Sequence, residues 1–226
     1  MFLLFIIACG YDYMTGEEDE QTEFTGNEGN AILGIGDSML AWNREEGASI
    51  PEVIAQELEL EVSNVAVSGS YISSDEEDMH IPNQYTSGDW PWVVMDGGGN
   101  DLMDECGCSD CDENLNSILS EDGDEGELFD LVQQITDDGS RVALIGYFSM
   151  PQQAEEFSNC NDELAVLVER ATRMSENIDG MVFFDSRQVV SYDETPYAYD
   201  EDYVHPSIEG SELVGVEVAA AMLGLE

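Results

Sequence analysis

The chain has 226 residues, enough for one α/β domain with short appendages, and 42% of them are hydrophobic, which excludes wholesale disorder. Its 51 acidic residues against 5 basic ones give a formal net charge of −46, and every basic residue is an arginine. A surface of that sign repels nucleic acid and anionic headgroups, which excludes both as partners. It also opposes its own compaction until salt screens it, at a Debye length of about 3 Å in 1 M salt, so the chain reads as one adapted to saline conditions.

Residues 1–9, MFLLFIIAC, form an apolar run too short to span a bilayer, which takes about 20 residues. The run suits the core of a signal peptide, although no Lys or Arg precedes it. Its end, Ile6-Ile7-Ala8-Cys9, resembles a bacterial lipobox, which implies lipidation at Cys9. A plain cleaved signal and a buried strand are the competing readings. Residues 10–29 are acidic and poor in aliphatics, and read as a solvated tether.

From residue 30 the pattern becomes α/β. Residues 31–36 are a short apolar run ending in a turn, hence a buried strand. Residues 50–60 carry Ile50, Val53, Ile54 and Leu58 at helical spacing, with Pro51 near the start. Strands follow at 62–67 and 92–95, a helix at 126–136, a strand at 141–147, a long amphipathic helix at 161–178, a strand at 181–185 and a last helix at 207–225. Residues 71–89 read as a polar surface loop, and residues 102–125 as a cysteine-bearing insertion. Strands alternating with helices predict a parallel sheet of about five strands covered on both faces, a three-layer α/β/α sandwich. The sites of such sheets lie beyond the carboxyl ends of the strands.

Four segments at those positions carry chemistry. The first strand runs into Gly36-Asp37-Ser38, which puts a hydroxyl at a strand-to-helix turn; a serine there is also an ordinary helix cap. A phosphate-binding glycine loop fits less well, since Met39 occupies the place of its third glycine. After the second strand, Gly69 offers a backbone N–H that a ligand can approach closely. After the third, in Gly97-Gly98-Gly99-Asn100-Asp101, Asn100 can present its amide to an oxyanion. Before the last helix, Asp202 and His205 stand three apart, so the carboxylate can hold the imidazole as a general base. The other histidine, His80, reads as a surface residue without a partner. The acidic run at 121–125 lacks full EF-hand spacing and reads as a solvated loop.

If Cys9 carries a lipid, Cys106, Cys108, Cys111 and Cys160 remain. An even count in an exported chain points to two disulfides, with three possible pairings. A four-cysteine zinc site competes, because C-x-C-x-x-C spacing can chelate.

Taken in order, Gly36-Asp37-Ser38, Gly69, Gly98-Gly99-Asn100-Asp101 and Asp202-x-x-His205 resemble the four blocks of the SGNH/GDSL hydrolase family. The resemblance spans about residues 31–225 and implies the family's flavodoxin-like fold. It implies that Ser38 is the nucleophile, His205 the base and Asp202 its orienter. The implied oxyanion hole is formed by the Ser38 and Gly69 N–H groups and the Asn100 side chain. Met39 replaces the leucine of the GDSL form, a volume-conserving change. The implied reaction is hydrolysis of an acyl ester, of small-molecule, lipase or carbohydrate O-deacetylase type, through an acyl-enzyme. A non-catalytic surface binder on the same fold is the alternative. No metal or organic cofactor is expected, the only membrane contact would be a lipid on Cys9, and the chain reads as an exported monomer.

The charge density predicts that the melting temperature rises with NaCl between about 0.1 and 1 M, as screening shortens to a few ångströms. Thermal unfolding followed by circular dichroism checks this, and a flat profile would remove the saline reading.

Overall fold

The apolar runs read as strands assemble into a single sheet. The computed structural model of the chain describes residues 28–74 and 76–225; the expected signal run, the lipidation at Cys9 and nearly all of the tether lie outside them. The strands are β1 (Ala31–Ile35), β2 (Glu61–Asn64), β3 (Trp92–Met95), β4 (Arg141–Gly146) and β5 (Met181–Asp185). All pair in parallel, in the order β2-β1-β3-β4-β5. β1, β3 and β4 are nearly continuous runs of apolar residues and are buried along almost their whole length, as a strand covered on both faces must be. The chain leaves β1 toward β2 on one side and returns to β3 on the other. The carboxyl ends of β1 and β3 therefore border the switch point where such sheets open a crevice.

The helices are α1 (Ser38–Ala41), α2 (Ile50–Glu57), α3 (Ile81–Gln84), α4 (Gly99–Glu105), α5 (Asp112–Ile118), α6 (Glu127–Asp137), α7 (Asn161–Asn177) and α8 (Ile208–Leu223). Helices α2 and α8 pack on each other, and Gly215 makes this possible: a Cβ there would lie 2.6 Å from Val53 Cβ. Leu128 of α6 and Leu164, Leu167, Val168 and Ala171 of α7 meet Leu144 and Gly146 of β4. Ile145, between those two, points to the other face, toward Met39, Leu40 and Ile50. Three layers result, as predicted. The helix starts follow their sequence signals. Ser49 and Glu52 form a capping box on either side of Pro51, and the Ser207 hydroxyl accepts from Gly210 N–H at 3.0 Å.

Three expectations need correction. The strand predicted at 62–67 ends its ladder at Asn64, although Val65 and Val67 N–H still donate to Gly34 and Gly36 carbonyls at 2.8 and 3.0 Å. Residues 71–89 are not simply a polar loop: they hold the short helix α3 and bury Ile72, Ile81 and Tyr85 in the core. His80 is half-buried rather than a free surface residue, with Nε2 3.8 Å from Glu127 Oε2.

The cysteines pair as Cys106–Cys111 and Cys108–Cys160, with Cα–Cα distances of 5.4 and 4.8 Å. This leaves no thiolate among the four for zinc. The segment expected to be an insertion holds α5, and its second disulfide fastens it to the start of α7. All five arginines are engaged: Arg44 with the Asn64 and Ala66 carbonyls, Arg141 over the Trp92 ring, Arg170 with the Leu119 carbonyl, Arg173 with the Glu121 carbonyl and Arg187 bidentately with Asp185.

Closing 52 residues restricts the unfolded chain more than closing 5. Loop-closure entropy assigns roughly 4 kcal/mol to the Cys108–Cys160 bridge and roughly 2 kcal/mol to Cys106–Cys111. Denaturant unfolding of C108A/C160A and C106A/C111A checks the order; a larger loss in the second variant would contradict it.

Candidate active site

The four predicted segments all emerge at the carboxyl edge of the sheet or in the loop before α8. Gly36 has φ +147°, and a Cβ there would run into the Asp96 carboxyl, so only glycine allows β1 to turn. Asp37 then caps α1, its Oδ1 accepting from Met39 N–H at 2.9 Å. This leaves Ser38, partly exposed, at the first turn of α1. Among the described residues the Ser38 and Gly69 N–H groups have no hydrogen-bond acceptor. Gly69 has φ +81° in the turn after β2. Asn100 lies in the first turn of α4, and its Nδ2 donates to the Ser70 carbonyl at 2.8 Å, leaving one amide hydrogen for another acceptor.

At the other segment, Asp202 Oδ2 lies 2.6 Å from His205 Nδ1. The same carboxylate, through Oδ1, accepts from Val204 and His205 N–H at 2.9 and 3.0 Å. Tyr203, at φ +62°, supplies the left-handed step between Asp202 and those donors. Burial pushes the Asp202 carboxyl up, but the His205 and Val204 donors outweigh it and hold it below the ordinary carboxylate range.

Cross-links join the segments. Gln84 donates to the Gly36 carbonyl at 3.0 Å and to Ser70 Oγ at 3.2 Å, and accepts from Gly36 N–H at 2.7 Å. Tyr147, just after β4, accepts from Gly99 N–H at 3.0 Å and donates to Asp37 Oδ2 at 2.6 Å. Trp42 stacks on His205, with ring centroids 3.8 Å apart and planes 6° off parallel, and its Nε1 donates to Asp200 at 2.7 Å. Asn43 donates to the Pro206 carbonyl at 3.0 Å. Asp101 is fully buried and accepts from Ile72 N–H, Ser73 N–H and Ser73 Oγ, which fixes the loop after Gly69. Ser38 and Asn100 line one cavity together with Asp37, Gly99, Tyr147 and Val204; Gly69 and His205 are not in its wall, but each is next in sequence to a residue tied to it or lining it.

The sequence reading missed Gln84, Trp42, Tyr147 and Asp96. Asp96 is buried just beyond β3; its Oδ1 accepts from Asp37 N–H at 2.8 Å, and its Oδ2 has no partner among the described residues. Burial first, and then the Asp37 charge, push the Asp96 carboxyl well above its ordinary range. Burial also raises Asp37, less strongly, because Tyr147 and Met39 donate to it. Burial and the closeness of the two carboxyls thus favour the protonated form in this pair.

The model of the GDSL-like lipase/acylhydrolase family matches residues 35–213, and the chain belongs to that family. Its architecture is that of solved SGNH hydrolases. A carbohydrate acetylesterase from Sinorhizobium meliloti superposes with a TM-score of 0.64 at 15% identity, covering 87% of this chain and 100% of that one. The inhibitor-bound aryl esterase of M. smegmatis superposes with a TM-score of 0.61 at 16% identity, again covering 87% and 100%. No curated protein matches the chain.

An unfolded Asp96 loses its proton near the ordinary carboxylate value, whereas the folded one keeps it, so the pair weakens folding as pH rises through that window. Asp96→Asn keeps the acceptor for Asp37 N–H without that cost and is expected to match or exceed the wild-type stability at pH 7. Asp96→Ala strands the donor and is expected to lose about 1–3 kcal/mol. Equal losses in the two variants by denaturant titration would show that the carboxylate is charged.

Proposed function

We propose that this member of an ester-hydrolase family works through a Ser38–His205–Asp202 triad on a neutral or carbohydrate-linked acyl ester. The observation that carries the reading is the Asp202–His205 pair. The carboxylate is fixed by two backbone donors and faces one imidazole nitrogen at 2.6 Å, which makes Nδ1 the protonated one and leaves Nε2 as a base. Trp42, whose backbone N–H donates to the Ser38 carbonyl at 2.9 Å, stacks on that base, and Ser38 shares a cavity with Asn100.

In this mechanism His205 takes the Ser38 hydroxyl proton as the oxygen attacks the ester carbonyl. The tetrahedral oxyanion is held by the Ser38 and Gly69 N–H groups and the second hydrogen of the Asn100 amide, donors already oriented before reaction. His205 returns the proton to the leaving alcohol, and water, activated by the same base, releases the acyl group. Trp42 covers one face of the imidazole, where the ring's π charge favours the imidazolium formed during attack. No arginine borders the cavity, and the −46 charge disfavours anionic substrates. Two disulfides fit an oxidising compartment, so export, with a lipid on Cys9 as its anchor, is part of the proposal.

Ser38→Ala is expected to lower p-nitrophenyl acetate hydrolysis at least about a thousandfold and to abolish labelling by a fluorophosphonate. Asn100→Ala is expected to cost about 10²–10³ in kcat. An unlabelled wild-type protein with no turnover would leave the surface-binder alternative. Trp42→Ala is expected to lower kcat roughly 2- to 30-fold with KM little changed, and Trp42→Phe to restore most of it. Equal rates for the Phe and Ala variants would remove the ring's role.

A further inference from the structure

The cavity beside Ser38 is asymmetric in its chemistry. Asp37, Ser38, Gly99, Asn100 and Tyr147 supply its polar part, while Met39, Met150, Phe157, Cys160, Leu164 and Val204 make the rest of the wall apolar. Its volume is about 30 Å³. One water takes roughly 10–15 Å³ of such space, so two or three non-hydrogen atoms fill it. With the reacting carbonyl held at Ser38, that is the remainder of a propionyl or butyryl group.

The apolar wall is fixed more firmly than an apolar lining alone would be. Cys160 directly precedes α7 and is bridged to Cys108 in the segment that follows α4. Met103 Sδ backs its sulfur at 3.6 Å. Leu164 follows one turn later on α7. Asn161 clips the wall from the other end: its Oδ1 accepts from Met150 N–H, and its Nδ2 donates to the Met150 carbonyl, both at 2.8 Å. A longer acyl chain must move side chains whose backbone is held by a covalent bridge and a two-way amide clip.

We infer that this stapled wall, which includes Cys160 and Leu164, sets the acyl chain length and restricts the enzyme to acyl groups of at most four carbons. The inference rests on the esterase reading above and adds the residues that select among esters. Leucine-to-alanine truncation opens space in a packed wall, and loss of the bridge frees the segment carrying Cys108 from α7.

The test is kcat/KM for p-nitrophenyl acetate, butyrate, hexanoate and octanoate, with fluorophosphonate labelling measured on each protein. The wild type is expected to fall at least about tenfold from acetate to hexanoate. Leu164→Ala and C108S/C160S are each expected to raise the hexanoate-to-acetate ratio at least about tenfold while labelling persists. Leu164→Val serves if the alanine variant does not fold, with a shift in the same direction. A wild-type profile flat from acetate to octanoate, or ratios unchanged in labelled variants, overturns the wall's role. Absence of both labelling and turnover in the wild type overturns the esterase reading itself.

Discussion

The buried carboxyl of Asp37 is the contact on which the site depends. It caps the helix that begins with Ser38, receives the Tyr147 hydroxyl, and lies against Asp96 beneath the turn. A carboxylate in that position would be prohibitively desolvated without donors on both oxygens, and Met39 N–H and Tyr147 supply them. Because Tyr147 also receives Gly99 N–H, one phenol couples the serine turn to the turn that carries Asn100. A shift of one turn is therefore transmitted to the other, and the candidate nucleophile and oxyanion donor hold one relative placement.

The other links follow the same logic with different chemistry. Gln84 uses both ends of one amide to tie the first turn to Ser70, and Asn100 returns to the Ser70 carbonyl. Trp42 and Asn43 reach 158 and 163 residues along the chain to hold the loop that bears His205. The sheet supplies the edge from which the segments leave; this ring of polar contacts brings the segments together.

The division between what could be read from the sequence and what could not has the same origin. Ser38, Gly69, Asn100, Asp202 and His205 each sit in a short local pattern, a strand followed by its turn or a carboxylate three residues from an imidazole, so neighbouring residues announce them. Four of the five strands were legible for a similar reason, as runs of mostly apolar residues of strand length, whereas β2, Glu61–Asn64, is mostly polar and its bounds were misread. Tyr147, Asp96, Gln84 and Trp42 act through partners 48 to 163 residues away, apart from the 14-residue Gln84–Ser70 link, and nothing beside them in sequence marks the role. Cys160 could not be paired by spacing alone, since all three arrangements of four cysteines were open until α7 set it against Cys108. Residues 71–89 misled because their acidic members conceal Ile72 and Ile81, which reach the core from a loop too short of apolar residues to display a period.

The amide links of Gln84 and Asn100 have a consequence for how such a chain tolerates its charge. Both join uncharged partners inside the fold, so ionic strength has little purchase on them, whereas the acidic side chains of the described residues lie mostly on the exterior, where mobile ions can shield them. The exterior can then drift, gaining or shedding carboxylates as its surroundings demand, without altering the interior frame that holds the candidate site. Adaptation of the surface and conservation of the chemistry become separate problems, solved by different atoms.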